Sequence, residues 1–245
     1  MEKNFTTIPV HIKLFIFYLV NVMDKIIKLT NDIIKFSNEY TKFYTPTKLK
    51  DYSQQFTLDQ TVIDALCLPL NCPPFPLSVL EPSFGTGRLL CECLKYSFNG
   101  SGHCSSIDAV ELDTELYVNT KTKFENYPNI NFINSDFLAF DFKDKKYDLI
   151  IGHPPSFIAK LSTEQKEEYK DILYGKTNMY SLFVYKCVKL LKPGGELRFI
   201  VPNSILTGKY LSKIRKHIDE NCIIVKIDFI KHKMIILCLK KKENQ

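Results

Sequence analysis

From residue 77 onward, short apolar runs alternate with segments of helical periodicity, and this alternation limits the fold more than any other feature of the sequence. The apolar runs predict strands at LSVLEPS (77–83), SIDAVEL (106–112), NINFINSD (129–136), YDLIIGH (147–153), ELRFIVP (196–202), CIIVKIDFI (222–230) and KMIILCLKK (233–241). Strands that alternate with helices form a mostly parallel sheet, because parallel strands are usually joined by a helical crossover. We therefore expect an α/β fold with helices on both faces of a seven-stranded sheet.

The helical segments fill the gaps between most of these strands. Helices are predicted from about Arg88 to Tyr96, from about Asp113 to Glu125, over 178–191 and over 209–221. Pro193-Gly194-Gly195 is expected to stop the third of them. The short connection Lys231-His232-Lys233, whose last residue also begins the final apolar run, joins the last two strands, so they predict an antiparallel hairpin whose last strand runs against an otherwise parallel sheet.

A longer amphipathic segment precedes the alternating region. Apolar positions between His11 and Tyr40 follow helical spacing, which predicts one N-terminal helix. Its most hydrophobic part, HIKLFIFYLVNVM (11–23), is interrupted by Lys13 and is too short to span a bilayer, so no membrane association is expected. We expect the helix to pack on the body of the domain. The alternative is an interface with a partner protein or with a second copy of the chain.

Composition places few limits on function. The formal net charge is +6, which permits a polyanionic partner but does not require one. Eight cysteines are scattered with no C-x-x-C pair, and those in apolar runs, such as Cys222 and Cys238, are interpreted as small buried hydrophobic residues. This pattern does not indicate a disulfide framework, so we expect a reducing intracellular compartment, the cytoplasm or the nucleus or nucleoid. The spacing of Cys91, Cys93, His103 and Cys104 matches no usual zinc pattern, so we predict no metal site.

Sheets of this kind bind ligands at the carboxyl ends of their strands, so the residues that follow each strand are the first candidates for a site. After the first strand, Glu81-Pro82-Ser83 leads into Gly85-Thr86-Gly87. Two glycines two positions apart at the start of a helix let the backbone turn sharply and approach a ligand closely. This stretch is the strongest single sign of a ligand site in the chain.

Acidic residues follow the next two strands. Glu111 comes at the end of the second strand, where a carboxylate can accept hydrogen bonds from ribose hydroxyls, while Asp113 is a candidate helix N-cap. Asp136 and Phe137 follow the third strand. A carboxylate beside an aromatic ring suits an adenine, since the first can accept from the exocyclic amine while the second packs on the ring.

Six motifs occur in a fixed order over roughly residues 43–240. They are FYTPTKL (43–49), VLEPSFGTGRLL (79–90), VELD (110–113), NSDFL (134–138), YDLIIGHPPS (147–156) and LLKPGGELRFIVP (190–202). In order and spacing they resemble the gamma-type N6-adenine DNA methyltransferases, which depend on S-adenosylmethionine. The resemblance implies a Rossmann-like methyltransferase fold.

The resemblance also implies the residues that hold the cofactor. The Thr-Pro segment would help hold its methionine end, the glycine-rich turn its amino-acid part, Glu111 the ribose, and Asp136 with Phe137 the adenine. The implied set is Thr45, Pro46, Glu81, Pro82, Ser83, Gly85, Gly87, Glu111, Asp136 and Phe137.

The catalytic motif of that family, Asn/Asp-Pro-Pro-aromatic, maps onto His153, Pro154, Pro155 and Ser156. Both prolines are kept, while His153 stands in place of the acceptor side chain and Ser156 in place of the ring that stacks on the target base. A neutral imidazole still has one acceptor nitrogen, which an unperturbed ring loses on protonation near about pH 6.5. Other rings that could bind the substrate are Phe157, Tyr180 and Phe229.

The resemblance predicts methyl transfer to the N6 amino group of adenine in DNA. One alternative is a catalytically impaired relative that binds cofactor or nucleic acid or supports a partner subunit. Another is methylation of adenine in RNA or of glutamine in a protein. With 245 residues the chain suits one α/β domain, so we predict an N-terminal helical extension over 1–42 and a methyltransferase domain over 43–245, without a separate target-recognition domain.

Overall fold

The computed structural model describes residues 10–43, 59–67, 77–98 and 104–243, and within them helices and strands alternate as predicted. The strands are β1 (Leu77–Glu81), β2 (Cys104–Glu111), β3 (Ile130–Asn134), β4 (Tyr147–Gly152), β5 (Leu191–Pro202), β6 (Cys222–Ile230) and β7 (Met234–Lys241). The α-helices are α1 (Val10–Phe43), α2 (Gln60–Cys67), α3 (Arg88–Phe98), α4 (Thr114–Lys123), α5 (Thr163–Glu168), α6 (Met179–Leu190), α7 (Ser204–Thr207) and α8 (Ser212–Asn221). A short 3₁₀ helix, Lys209–Leu211, precedes α8.

The seven strands form one sheet in the order β3-β2-β1-β4-β5-β7-β6. Strands β1 to β5 pair in parallel, whereas β7 runs antiparallel to both of its neighbours. The predicted mostly parallel sheet with an antiparallel last strand is therefore confirmed. The turn between β6 and β7 is tight, with His232 and Lys233 at φ angles of 61° and 60°.

One predicted boundary is wrong. Pro193-Gly194-Gly195 does end α6, but it lies inside β5, which begins at Leu191 rather than at Glu196. The glycines make this possible. Gly194 adopts a φ of 75°, and the ladder between β4 and β5 is irregular at this point, so the extra residues form a bulge rather than a loop.

Alternate side chains of the strands pack into two separate apolar cores, one on each face of the sheet. Leu80, Ile150 and Leu197 point to the core that includes α6 and α8. Val79 and Leu149 point to the other core, where α1, α2 and α3 pack. Successive side chains of a strand point to opposite faces, and both faces of this sheet are buried. The strand sequences are therefore continuous apolar runs.

The N-terminal helix is one continuous element of 34 residues, as predicted. Ile26, Leu29 and Ile33 lie on one face of α1 and are buried against the body of the domain, where α3 contacts it. Toward its start the helix is different, because Phe17 and Tyr18 are 67% and 59% exposed. From Ile26 onward α1 thus contributes to the apolar core, whereas Phe17 and Tyr18 near its start do not.

The cysteines of the described segments are buried, and Cys222 and Cys238 occupy the apolar positions predicted for them. Among the helices of these segments, none combines the length and the apolar content that a membrane crossing requires.

Candidate active site

The carboxyl ends of four parallel strands converge along one edge of the sheet. In the ladder, Glu81 at the end of β1 is aligned with Ala109 of β2, and Glu111 at the end of β2 is aligned with Asn134 of β3. On the other side of β1, Leu80 is aligned with Ile150 of β4. The glycine-rich turn, Glu111, Asp136 and the Pro-Pro loop therefore share one edge, as the order of the motifs predicts.

The turn after β1 is held by backbone hydrogen bonds. The N–H of Phe84 donates to the carbonyl of Val110 at 3.0 Å, and the N–H of Gly87 donates back to Phe84 at 2.8 Å. Gly85 and Gly87 adopt φ angles of 55° and 83°, in the left-handed region that favours glycine. At Gly87 a Cβ would lie 2.7 Å from the ring of Phe124, so this position also has no room for a side chain.

Glu111 ties this turn to the start of the next helix. Its Oε2 accepts from the N–H of Gly85 and its Oε1 from the N–H of Asp113, each at 2.9 Å. Asp113 in turn caps α4 by accepting from the N–H groups of Glu115 and Leu116, which confirms the predicted N-cap. Burial raises the pKa of Glu111 although the two backbone donors oppose that shift. The carboxylate is thus held at the tip of β2 before any ligand arrives.

Glu81 lies beneath this arrangement and is only 1% exposed. Burial, reinforced by the negative charge of Glu111, raises the pKa of Glu81 well above its ordinary value. Its Oε2 is buried and has no hydrogen-bond partner among the described residues. A buried carboxyl oxygen with spare acceptor capacity suits a cationic ligand group, which would satisfy the oxygen and favour its ionised form.

Asp136 and Phe137 have different surroundings, although they are neighbours in sequence. Asp136 closes the turn after β3 by accepting from the N–H of Leu138 at 2.9 Å, and its second oxygen accepts from Gln165 of α5 at 3.3 Å. The ring of Phe137 is 3% exposed and packs in the core, with its centroid 4.7 Å from that of Phe183. An adenine at this position would meet the carboxylate of Asp136 directly but no open face of the Phe137 ring.

The second half of α1 also supports the site, which the sequence did not indicate. The hydroxyl of Ser37 donates to Thr86 of the glycine-rich turn at 2.6 Å, and the hydroxyl of Tyr40 donates to Asp113 at 3.3 Å. Both contacts connect residues far apart in sequence, so only the folded chain reveals them. The predicted cofactor residues Thr45 and Pro46, a few positions after α1, lie outside the described residues.

The loop after β4 begins at His153, close to the turn after β1. The backbone of Gly152, which precedes this loop, is closely packed, since a Cβ there would lie 3.2 Å from the ring of Phe199 and 3.3 Å from Pro82. The hydroxyl of Ser83 donates to the carbonyl of His153 at 3.4 Å. Burial lowers the pKa of His153 to about 4. The imidazole is therefore neutral near pH 7 and keeps one acceptor nitrogen.

Backbone pairing fixes the far side of the Pro-Pro loop. Ile158 forms an antiparallel bridge with Asn178, the N–H of Ala159 donates to Thr177 at 2.9 Å, and the N–H of Met179 donates to Phe157 at 2.8 Å. These bonds hold the loop against the start of α6. Pro154 is buried, whereas the neighbouring Pro155, Ser156 and Phe157 are partly exposed at the sheet edge.

The comparison with known proteins agrees with this geometry. The model of the family described as Eco57I restriction-modification methylase matches residues 31–235. The chain belongs to this family.

Individual relatives of this Eco57I-type chain are named as methylases or methyltransferases. The modification methylase CviBIII of Paramecium bursaria Chlorella virus NC1A is 33% identical over 166 residues, which cover 67% of this chain and 39% of the relative. The type II methyltransferase M.AccI of Acinetobacter calcoaceticus is 28% identical over 229 residues, covering 83% of this chain and 38% of the relative. The chain thus spans about two fifths of the length of these curated relatives.

A solved structure supports the fold of the Eco57I-type chain. The methyltransferase subunit of a type I restriction-modification system from Streptococcus thermophilus superposes with a TM-score of 0.56 at 18% identity, covering 79% of this chain and 47% of the other. Family and fold together identify S-adenosylmethionine as the cofactor. The carboxyls of Glu81 and Glu111 fit it, because the cofactor carries cationic groups and a ribose diol.

Two predicted substrate-binding rings of the Eco57I-type chain do not present an open face at the Pro-Pro loop, one because it is buried and the other because it lies too far away. Tyr180 is 1% exposed and its hydroxyl lies 3.0 Å from that of Ser204, so its ring offers no open face to a base. Phe229 is 72% exposed near the end of β6, three strands away from β4 in the sheet. Neighbouring strands lie about 4.8 Å apart, which puts roughly 14 Å between β4 and β6. Phe157 is the predicted ring that directly follows the catalytic motif.

Proposed function

We propose that this chain transfers a methyl group from S-adenosylmethionine to the N6 amino group of adenine in DNA. The observation that carries the proposal is the position of His153, a neutral and half-buried acceptor at the carboxyl end of β4, beside the turn that would hold the cofactor. The Eco57I restriction-modification methylase family and the names of the relatives support DNA as the substrate.

The chemical problem is the weak nucleophilicity of the adenine amino group, because its lone pair is delocalised into the ring. Acceptors that bond its two hydrogens would orient this lone pair toward the reacting methyl group. In this chain the imidazole of His153 would supply one acceptor, and a backbone carbonyl of the Pro154-Pro155 turn the other. Because the pKa of His153 lies at about 4, the ring keeps its acceptor across the physiological pH range.

The cofactor supplies the methyl group on an electrophilic sulfonium. Glu111 would accept from its ribose hydroxyls, since a carboxylate oxygen has more than one lone pair and each oxygen now accepts one backbone N–H. Glu81 would face one of its cationic groups with its buried Oε2. Asp136 would accept from the adenine amine. The roles of Thr45 and Pro46 stay predictions.

Base stacking is the weaker part of this proposal. Ser156 cannot stack, and one base–aromatic contact contributes about 1–3 kcal/mol. Phe157 is partly exposed one position later, so we assign the stacking role to it. The second candidate function rests on the same residue: with Ser156 in place of a ring, the chain would be an impaired relative that binds the cofactor and supports a partner subunit.

Separate measurements of binding and transfer test the proposal. Calorimetry would give the affinity for S-adenosylmethionine, and a tritiated methyl group would be followed into DNA, RNA and protein pools. We expect cofactor binding and label in DNA, with the label recovered as N6-methyladenine after digestion. Label in cytosine, RNA or protein would refute the acceptor assignment, and cofactor binding without any transfer would favour the impaired relative.

An oligonucleotide control narrows the acceptor to one atom. In a DNA that is methylated, each adenine would be replaced by purine, which has the same ring without the exocyclic amino group. We expect transfer to stop. Transfer that continues at the wild-type rate would exclude N6 of adenine as the acceptor.

A further inference from the structure

The outermost strand β6 carries an unusual amount of exposed apolar surface. Ile223, Ile224 and Val225 are 58%, 52% and 55% exposed, and Phe229 is 72% exposed. On the outer side of β6 no strand of the described sheet pairs with it. A long apolar edge of this kind favours pairing with another strand, and soluble proteins normally cover or charge such an edge.

A groove runs beside this edge on the face covered by α8. Its volume is about 570 Å³, and it lies between α7, α8, β6 and β7. Apolar residues dominate its lining, among them Ile205, Leu206, Ile218 and Leu237. Ile224 of β6 forms part of the same wall, so the exposed strand and the groove make one continuous apolar surface.

We propose that β6 pairs antiparallel with β6 of a second copy of this chain, across a two-fold axis centred on Ile227. The result is a symmetric dimer in which two seven-stranded sheets become one. Interfaces of two-fold symmetry are self-complementary, so each residue of β6 must suit the residue that the axis places opposite it.

The charges of β6 favour this register over the two neighbouring ones, which centre on Lys226 or Asp228. With the axis at Ile227, Lys226 of each copy stands opposite Asp228 of the other, which gives two ion pairs. An axis at Lys226 would oppose two lysines, and an axis at Asp228 would oppose two carboxylates; like charges directly opposite each other are unfavourable. Within one chain Lys226 and Asp228 already lie 2.6 Å apart on the same face of the strand, which is where cross-strand pairs would form.

The apolar residues fit the same register. Val225 is the extra residue of a bulge between Ile224 and Lys226 in the ladder with β7. Beyond the central charges, Phe229 of one copy therefore meets the bulged pair Ile224 and Val225 of the other. Ile230 then meets Ile223, so each exposed apolar side chain of β6 gains an apolar neighbour.

The groove gives room for the largest of these side chains. Phe229 is opposite Ile235 of β7, which faces the core that includes α8, and Ile224 on this face lines the groove. The ring of Phe229 from the second copy would thus lie at the groove beside Ile224. Phe229 then serves the interface and not the target base.

Charge exchange tests the register without removing apolar surface. In analytical ultracentrifugation at a concentration of about 100 µM, we expect the wild-type chain to sediment at twice its chain mass of 28.5 kDa. Lys226→Asp alone, or Asp228→Lys alone, would oppose like charges twice across the axis and weaken the dimer roughly 10-fold or more. Exchanging both residues in one chain would restore it.

A mixture gives the sharpest result. Chains with Lys226→Asp and chains with Asp228→Lys should not pair among themselves, but they should pair with each other, because every opposed pair is then of opposite charge. Lys28→Asp on the exposed side of α1 is the control and should leave the dimer unchanged. A monomeric wild type, or a dimer that either single exchange leaves intact, would overturn the proposal. The mixture also shows that both single variants are folded.

Discussion

The turn after β1 and the loop after β4 lie at the same sheet edge, but they are fixed in different ways. The turn is defined by its backbone, since Glu111 binds the N–H of Gly85 and glycine occupies the left-handed positions. The loop is also held by backbone bonds, yet the chemistry proposed for it depends on two side chains, His153 and Ser156, that differ from the catalytic motif which the resemblance implies. A backbone-defined site keeps its geometry when neighbouring side chains change, whereas a side-chain-defined site does not.

The largest effect should come from removing His153, which separates the two regions functionally. For His153→Ala we expect kcat for DNA methylation to fall about 100- to 1,000-fold, corresponding to roughly 2.7–4 kcal/mol for one oriented group in a preorganised site. Calorimetry should show the affinity for S-adenosylmethionine nearly unchanged, because no cofactor contact is assigned to the ring.

His217→Ala is the matched control for that variant. His217 is a second histidine whose pKa burial lowers to about 4, but it lies on α8 with its ring 4.6 Å from that of Tyr185. Its removal should leave kcat unchanged. An equal loss in both variants would mean that His153 acts only through folding.

In the turn after β1, a side chain added at Gly87 should destabilise the fold. Gly87→Ala places a Cβ 2.7 Å from Phe124 at a φ of 83°, so overpacking adds to backbone strain, and we expect about 3 kcal/mol loss in the free energy of unfolding. Gly194 has a similar φ of 75°, but its nearest neighbour would lie 3.6 Å away. Gly194→Ala should therefore cost only about 1 kcal/mol. Urea denaturation of both variants measures the difference, and equal losses would contradict the packing argument.

Features that depend on local sequence signals were predicted better than features that depend on contacts between distant strands. The succession of strands and helices along the chain, the antiparallel β7 and the N-cap Asp113 follow from local periodicity and capping, and all are confirmed. The start of β5 at Leu191 was placed too late, because Pro-Gly-Gly normally ends regular structure and only the ladder with β4 shows that it forms a bulge.

Tertiary surroundings account for what else the sequence could not give. The pKa of His153 depends on burial, which is a property of the folded chain, so the sequence alone suggested a ring that titrates near neutrality. The contact of Ser37 with Thr86 joins residues 49 positions apart. Burial of the Phe137 and Tyr180 rings likewise follows from the packing of α6 on the sheet.

Glu81 offers a smaller, pH-dependent test of the cofactor region. Because burial raises its pKa, its contribution to stability is complete below its ordinary pKa of about 4.3 and is lost as the pH rises through the raised value. Glu81→Gln cannot ionise, so the variant should become more stable than wild type as the pH rises, by about 1–3 kcal/mol, the cost of an unsatisfied buried polar group.

Thermal unfolding without cofactor at several pH values measures this crossover. The same variant should bind S-adenosylmethionine more weakly, since it cannot supply a negative charge. If the stability difference between Glu81→Gln and wild type is the same at every pH, Glu81 is ionised at each pH measured. The assignment of a neutral buried carboxyl would then fail.

The smallest expected effect concerns pH: the imidazole of His153, in the loop after β4, should not titrate in the range where the enzyme is assayed. With a pKa of about 4, His153 keeps the same protonation state from about pH 5.5 upward, so it should not limit kcat there. The informative quantity is the ratio of kcat for wild type to kcat for His153→Asn, because titrations elsewhere in the site affect both enzymes and cancel. Asparagine accepts without titrating, so a ratio that stays constant to about pH 8.5 means that the imidazole remains neutral throughout. A ratio that halves at about pH 6.5 would mean that the ring is solvated and titrates normally, which would contradict the burial of His153 in the loop after β4.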